Sequence, residues 1–178
     1  MNTLNRRQAL GLTSALLLPS STWAVAASAE ADMGYAPLAA LEKKVGGRLG
    51  VAFLNTGNGS IVGHRLHERF GMCSTFKLAL AAEVLRKIDQ GTLKSDQWVT
   101  YGKADILSHA PVAKEHLARG GMTVLAMAEA IQTTSDNTAA NALLKLIGGP
   151  AAFTQLLRAG GDNVTRVDRM EPEMNRVG

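Results

Sequence analysis

This 178-residue sequence has a single cysteine, Cys73, so it can build no disulfide of its own. In an exported chain a lone cysteine is either a buried thiol or one that lacks its partner. Aromatic residues make up only 4%, and those near basic segments form no stacking pattern. The basic residues are scattered, and without a patch or a stacking ladder a nucleic-acid partner is excluded. Charge of one sign is also scarce: 19 Lys and Arg stand against 15 Asp and Glu, and Arg6 and Arg7 lie in a leader, leaving 17 against 15. Metal-ligand spacing is missing as well. His64 and His67, three apart near a strand end, point to opposite faces, His116 has no evident companion, and no third convergent ligand is visible. Neither a metal nor a cofactor is expected. No internal repeat or low-complexity tract occurs.

Long apolar runs are reduced to one, Ala9 to Leu18, preceded by Arg6 and Arg7 and broken by Pro19. It is too short to span a bilayer, and small residues follow at Ala24-Val25-Ala26 and Ala27-Ser28-Ala29. This is the pattern of a signal peptide over residues 1–29, cut at one of those two sites. The paired arginines fit the twin-arginine route and an ordinary Sec signal equally. An exported, periplasmic product without stable membrane insertion is expected.

With 46% apolar residues the chain has enough material for a real core. Ala36 to Val45 has helical spacing and stops at Gly46-Gly47. Arg48 to Asn55 and Ser60 to Arg65 read as strands joined by the turn Thr56-Gly57-Asn58-Gly59. The pattern then turns helical: Ser74 to about Lys87, Thr123 to about Thr133, Thr138 to Ile147, and a helix from Pro150 that Gly160-Gly161 stops. Residues 30–68 are therefore expected to be the helix and hairpin of an α/β domain, and residues 69–178 a helical domain. The fold class is α+β.

The Ser74 helix is apolar on nearly every side and reads as a buried central helix. Lys77 is then an ammonium in the wrong place, because burying it is costly unless it is paired or loses its proton. One turn away sits Ser74 at the helix head, where unpaired N–H groups favour negative charge on an attacking oxygen. By itself the pair reads more readily as an N-cap with a snorkelling lysine. Two further groups accompany it: Ser135-Asp136-Asn137 between two helices, and Arg169 to Asn175 in a loop. A serine three before a lysine, with Ser-Asp-Asn downstream, is a signature of class A β-lactamases and penicillin-binding proteins.

From Leu41 onward the chain resembles class A serine β-lactamases, through ERFGMCSTFKL, SHAPV, TTSDNTAANALL and DRMEPEMN in family order and spacing. The resemblance implies a serine β-lactamase/transpeptidase-like fold and a monomeric hydrolase of small-molecule β-lactams, acting through an acyl-enzyme. Ser74 would be the nucleophile and its N–H an oxyanion donor, and Lys77 would hold the serine oxygen and relay protons. Ser135 would pass a proton to the leaving nitrogen, and Asn137 would hold the substrate amide. Glu171 would activate a water that Asn175 helps to orient. Arg169 would anchor the loop, while Asp136 reads as structural, tying its loop to backbone. His109 stands where the family usually has an aromatic at the pocket rim, and is expected to pack against substrate.

Two alternatives share these motifs: a penicillin-binding transpeptidase or carboxypeptidase, which does not use Glu171 with Asn175, and a β-lactam receptor acylated without turnover. The family's third motif, Lys-Thr/Ser-Gly on a sheet strand, does not occur in this sequence. The chain is accordingly expected to be partial, without the C-terminal remainder of the α/β domain, and inactive alone.

Overall fold

The computed structural model describes residues 35–175, with the side chain of Asn175 outside the described part. The expected signal peptide over residues 1–29 lies outside the described residues. The chain divides into two compact units, one ending at Glu68 and one starting at Arg69.

In the first unit, helix α1 (Ala36–Val45) precedes an antiparallel hairpin of β1 (Val51–Leu54) and β2 (Ile61–His64), with Val51 opposite His64 and Leu54 opposite Ile61. Pro37 opens α1 with its fixed φ and no wasted N–H, and Gly46 at φ +78° ends it. Gly63 allows a close approach: a Cβ there would lie 2.1 Å from the Val51 carbonyl oxygen. Glu42 ties helix to hairpin. Its Oε1 accepts from Leu49 N–H at 3.1 Å and Arg65 Nε at 2.9 Å, and its Oε2 pairs with His64 Nε2 at 2.6 Å. Arg65 continues to Glu68, which also receives Arg48.

The second unit is built around α2 (Phe76–Asp89), α4 (Val124–Thr133), α5 (Asn137–Leu146) and α6 (Gly149–Ala159). Their buried side chains, among them Phe76, Leu80, Val84, Met127, Ile131, Leu143, Leu144 and Phe153, form one core. Helix α4 starts where Thr123 Oγ1 accepts the Ala126 N–H, a side-chain N-cap. Short 3₁₀ turns precede α2 at Cys73–Thr75, and lie at Lys103–Asp105, Leu117–Arg119 and Glu173–Asn175, with α3 (Pro111–Glu115) among them. Among the described residues no helix is long and apolar enough to cross a membrane.

The structure corrects three expectations. The second unit is not purely helical: β3 (Trp98–Thr100) pairs antiparallel with β4 (Gly121–Thr123), segments too short to show alternation in the sequence. Regular α-helix starts at Phe76 rather than Ser74, which sits in the 3₁₀ turn. Helix α2 buries one stripe, Phe76, Lys77, Leu80, Ala81 and Val84, while Leu78 is 69% and Leu85 43% exposed. Helices α4 and α5 cover only that stripe, so the composition of α2 overstates its burial.

The Glu42 network predicts an acid-labile first unit. Hydrogen bonds from His64 and then Arg65 hold the Glu42 carboxyl down from its ordinary 4.5 to about 2. A depressed carboxyl contributes stability that is present above pH 4.5 and is lost as pH falls toward 2. Amide-exchange protection of β1 and β2 should therefore drop across that window in the parent, and drop less in Glu42→Gln, where of the two carboxylates paired with Arg65 only Glu68 still titrates. An identical profile in both would disprove it.

Candidate active site

The site is assembled from one charged side chain outward. Lys77, in the first turn of α2, is only 2% exposed, although its aliphatic neighbours in the stripe are core residues. Its Nζ lies 3.3 Å from Ser74 Oγ, 2.9 Å from Ser135 Oγ, 2.8 Å from the Ser135 carbonyl oxygen and 2.5 Å from Asn137 Oδ1. Glu171 Oε1 stands 3.8 Å away, its side chain buried as well. An ammonium has three protons to donate, and four acceptors lie within reach besides the carboxylate. At least one of the four must therefore share a lysine proton or go without one, and two of them, the Ser74 and Ser135 hydroxyls, carry protons of their own. Burial pushes the Lys77 amine below its ordinary value, while the Glu171 and Asp136 carboxylates oppose that shift.

Ser74 is exposed, at the open end of this cluster. Its 3₁₀ turn is held by the Met72 carbonyl, which accepts from both the N–H and the hydroxyl of Thr75. Cys73 sits just before it at φ +47° and is exposed, not buried as one of the two readings of a lone thiol required. The Lys77 carbonyl receives Gln132 Nε2 from α4 at 2.8 Å, which sets the first turn of α2 against α4.

Ser135 and Asn137 reach Lys77 because the α4–α5 connection is sharply turned. Ser135 takes φ +58°, a left-handed conformation that costs a residue with a Cβ about 1 to 2 kcal/mol. Asp136 holds the turn. Fully buried, it caps α5 by accepting the Ala139 N–H through Oδ1, and accepts the Ala113 N–H of α3 through Oδ2, both at 2.9 Å. Asp136 is thus a bracket between two helices and the loop, with both oxygens used on backbone.

Glu171 is positioned through its main chain. Asn141, one turn beyond Asn137 on α5, accepts the Glu171 N–H at 3.0 Å and donates to the Glu171 carbonyl at 2.9 Å. Asn175 falls in the turn Glu173–Asn175, one turn further along the same loop. His109 is exposed; its carbonyl accepts the Asn137 N–H at 2.9 Å, and its Nε2 meets the Thr134 carbonyl oxygen at 2.8 Å. The structure thus brings Ser74, Lys77, Ser135, Asn137 and Glu171 together, and sets His109 against the loop that carries two of them.

Sequence reasoning missed Asn141, Gln132 and Thr138, whose hydroxyl accepts from Leu107 N–H and donates to the Asp105 carbonyl. The first had a readable signal, since Asn137 and Asn141 are four apart and share a helix face. Gln132 was visible as one of three polar residues, with Glu129 and Thr133, on the mostly apolar α4. A cavity of about 460 Å³, bounded by Tyr101, Asp105, Thr138, Asn141 and Lys145, lies elsewhere. None of Ser74, Lys77, Ser135, Asn137 and Glu171 lines it, so the candidate site is marked by its cluster of polar groups and not by this hollow.

Losing the Asp136 bracket should be expensive. Asp136→Ala strands two buried N–H donors and removes a helix cap, so unfolding by denaturant should show a loss of about 2 to 4 kcal/mol. Asp136→Asn, which keeps one acceptor oxygen, should lose less. A loss for Asp136→Ala below about 0.5 kcal/mol, typical of a neutral surface change, would contradict the assignment.

A family model described as the Beta-lactamase enzyme family matches residues 35–178. β-Lactamase L2 of Stenotrophomonas maltophilia is 48% identical over 162 residues, 89% of this chain and 53% of that protein. The carbapenem-hydrolyzing β-lactamase KPC of Klebsiella oxytoca is 40% identical over 163 residues, 90% of this chain and 55% of that one. Among solved structures, a β-lactamase from Burkholderia vietnamiensis superposes with TM-score 0.77 at 48% identity, covering 80% of this chain and 53% of the other. An ancestral class A β-lactamase does so with TM-score 0.75 at 54% identity, covering 80% and 55%. The chain spans about half the length of the curated relatives it matches. The family match over residues 35–178 and the likeness to these relatives agree, and this chain belongs to the β-lactamase enzyme family.

Proposed function

We propose that this chain carries the nucleophile, the proton relay and the water-activating carboxylate of an exported serine β-lactamase, which inactivates β-lactam antibiotics by hydrolysis. The observation that carries this reading is the buried Glu171 carboxylate 3.8 Å from Lys77 Nζ, in the same nest as the nucleophile. Acylation alone needs Ser74, Lys77 and Ser135. A carboxylate held beside them adds what a hydrolase needs, a base for water.

In the proposed sequence, Ser74 Oγ attacks the lactam carbonyl carbon as its proton leaves toward Lys77 Nζ, 3.3 Å away. The lowered proton affinity of the buried amine suits it to that transfer. The Ser74 N–H at the helix head serves as an oxyanion donor. The carbon–nitrogen bond then breaks, and the nitrogen takes a proton from Ser135 Oγ, which Lys77 resupplies across 2.9 Å. Asn137 holds the substrate amide. Water, oriented by Asn175 and deprotonated by Glu171, attacks the ester carbon, and Ser74 leaves with a proton returned through the relay. The acidic side chain also favours this reading over a transpeptidase, carboxypeptidase or non-hydrolytic receptor, none of which uses such a carboxylate with Asn175 to activate water. Export through the leader over residues 1–29, by either route, would place the enzyme in the periplasm.

Two variants of the full-length protein carrying this chain test the reading. Ser74→Ala should show no covalent penicillin adduct by mass spectrometry and no turnover, and near-parental hydrolysis would end the serine mechanism. Glu171→Gln keeps the shape of the loop but cannot take the proton of the water, so acylation should outlast deacylation and leave a long-lived adduct on Ser74. An adduct that clears at the parental rate would remove Glu171 from the hydrolytic step.

A further inference from the structure

The left-handed Ser135 raises the question of what holds it there. Its carbonyl and hydroxyl both accept from Lys77, and the buried Asp136 fixes the residue after it. The peptide before it, Thr134–Ser135, needs a separate restraint, because the orientation of that plane relative to Ser135 defines the serine's φ. On the helical side, Thr134 is tied to Ala130 through its N–H and its hydroxyl, neither of which belongs to this peptide unit. The Thr134 carbonyl does belong to it, and it faces His109 Nε2 at 2.8 Å. A carbonyl can only accept, so Nε2 must carry the proton, and the ring acts as a donor.

His109 therefore clasps the turn from both sides of Ser135: its ring on the Thr134 carbonyl, its own carbonyl on the Asn137 N–H at 2.9 Å. Any residue would supply the main-chain bond. Only a donor side chain supplies the other. The restraint passes in three links, from imidazole to the Thr134–Ser135 peptide, to Ser135 Oγ, to Lys77 Nζ. An exposed ring with its nitrogen committed to backbone is also less free to act as a plain packing surface.

We propose that His109 is a positioning residue for proton delivery, holding Ser135 at φ +58° through its Nε2–H, so that efficient acylation depends on a hydrogen-bond donor at position 109. This rests on the serine β-lactamase reading and assigns the ring a role different from stacking on substrate.

Two substitutions in the full-length protein carrying this chain separate the two roles. His109→Phe keeps a flat apolar ring and loses the donor, whereas His109→Gln loses the ring and keeps an N–H near the position of Nε2. The positioning role requires His109→Phe to lower the acylation rate about fivefold or more with KM little changed, the loss of one hydrogen bond's net worth, and His109→Gln to recover most of it. The reverse ranking, with Phe near parental and Gln raised in KM, would make His109 a packing surface and overturn the proposal. A crystal structure of His109→Phe gives a readout independent of turnover. Ser135 should leave the left-handed region or the Thr134 carbonyl should turn, and an unmoved turn also overturns the proposal. If the parent forms no penicillin adduct, the hydrolase reading fails on its own, and the crystal structure alone decides whether His109 holds the turn.

Discussion

Everything at this site depends on burying the Lys77 amine without leaving it unsatisfied. An isolated charge in a protein interior is strongly disfavoured, and the usual escape is a pairing partner, a set of hydrogen bonds or a lost proton. Lys77 has the first two in hand and is biased toward the third. Two hydroxyls, an amide oxygen and a carbonyl surround Nζ, with the Glu171 carboxylate just beyond hydrogen-bond range. Two of the acceptors that satisfy the amine, the Ser74 and Ser135 hydroxyls, carry exchangeable protons themselves, so the solution to a stability problem also supplies the groups that the proposed relay uses.

That arrangement constrains the surrounding fold. Ser135 offers its carbonyl and hydroxyl together from a left-handed conformation, which is unfavourable for a residue with a Cβ. The strain is held by rigid pieces: Asp136 between α3 and α5, and His109 across the loop. Glu171 is managed in the same manner, clamped by Asn141 through its backbone, with its carboxylate 3.8 Å from Lys77 Nζ. Backbone clamps of this kind place a side chain without consuming its chemistry.

Much of the helical frame was legible because its punctuation is local. Thr123 caps α4, Asp136 caps α5, Pro150 lies in the first turn of α6 and Gly160-Gly161 follows its end, each acting within a few residues. The pair β3–β4 was not legible, since three-residue strands far apart in sequence show no alternation and are defined only by each other. The burial of α2 was misread for a related reason. Composition reports how apolar a helix is, but neighbours decide which stripe is covered, and here α4 and α5 leave Leu78 and Leu85 in solvent.

For the site, the sequence by itself determined which chemical groups are available and, through helical spacing, that Ser74 and Lys77 lie within one turn of each other. It also determined that Ser135, Asp136 and Asn137 fall at a helix junction, where backbone donors and side-chain acceptors meet. Only the tertiary structure decided that this junction closes on Lys77, that Glu171 arrives from a distant loop, and that Asn141, Gln132 and the His109 ring hold these parts in place. Spacing along one helix is set by a fixed rise per residue and can be read from the chain. Contacts between segments dozens of residues apart depend on how whole helices pack, and no local pattern encodes them.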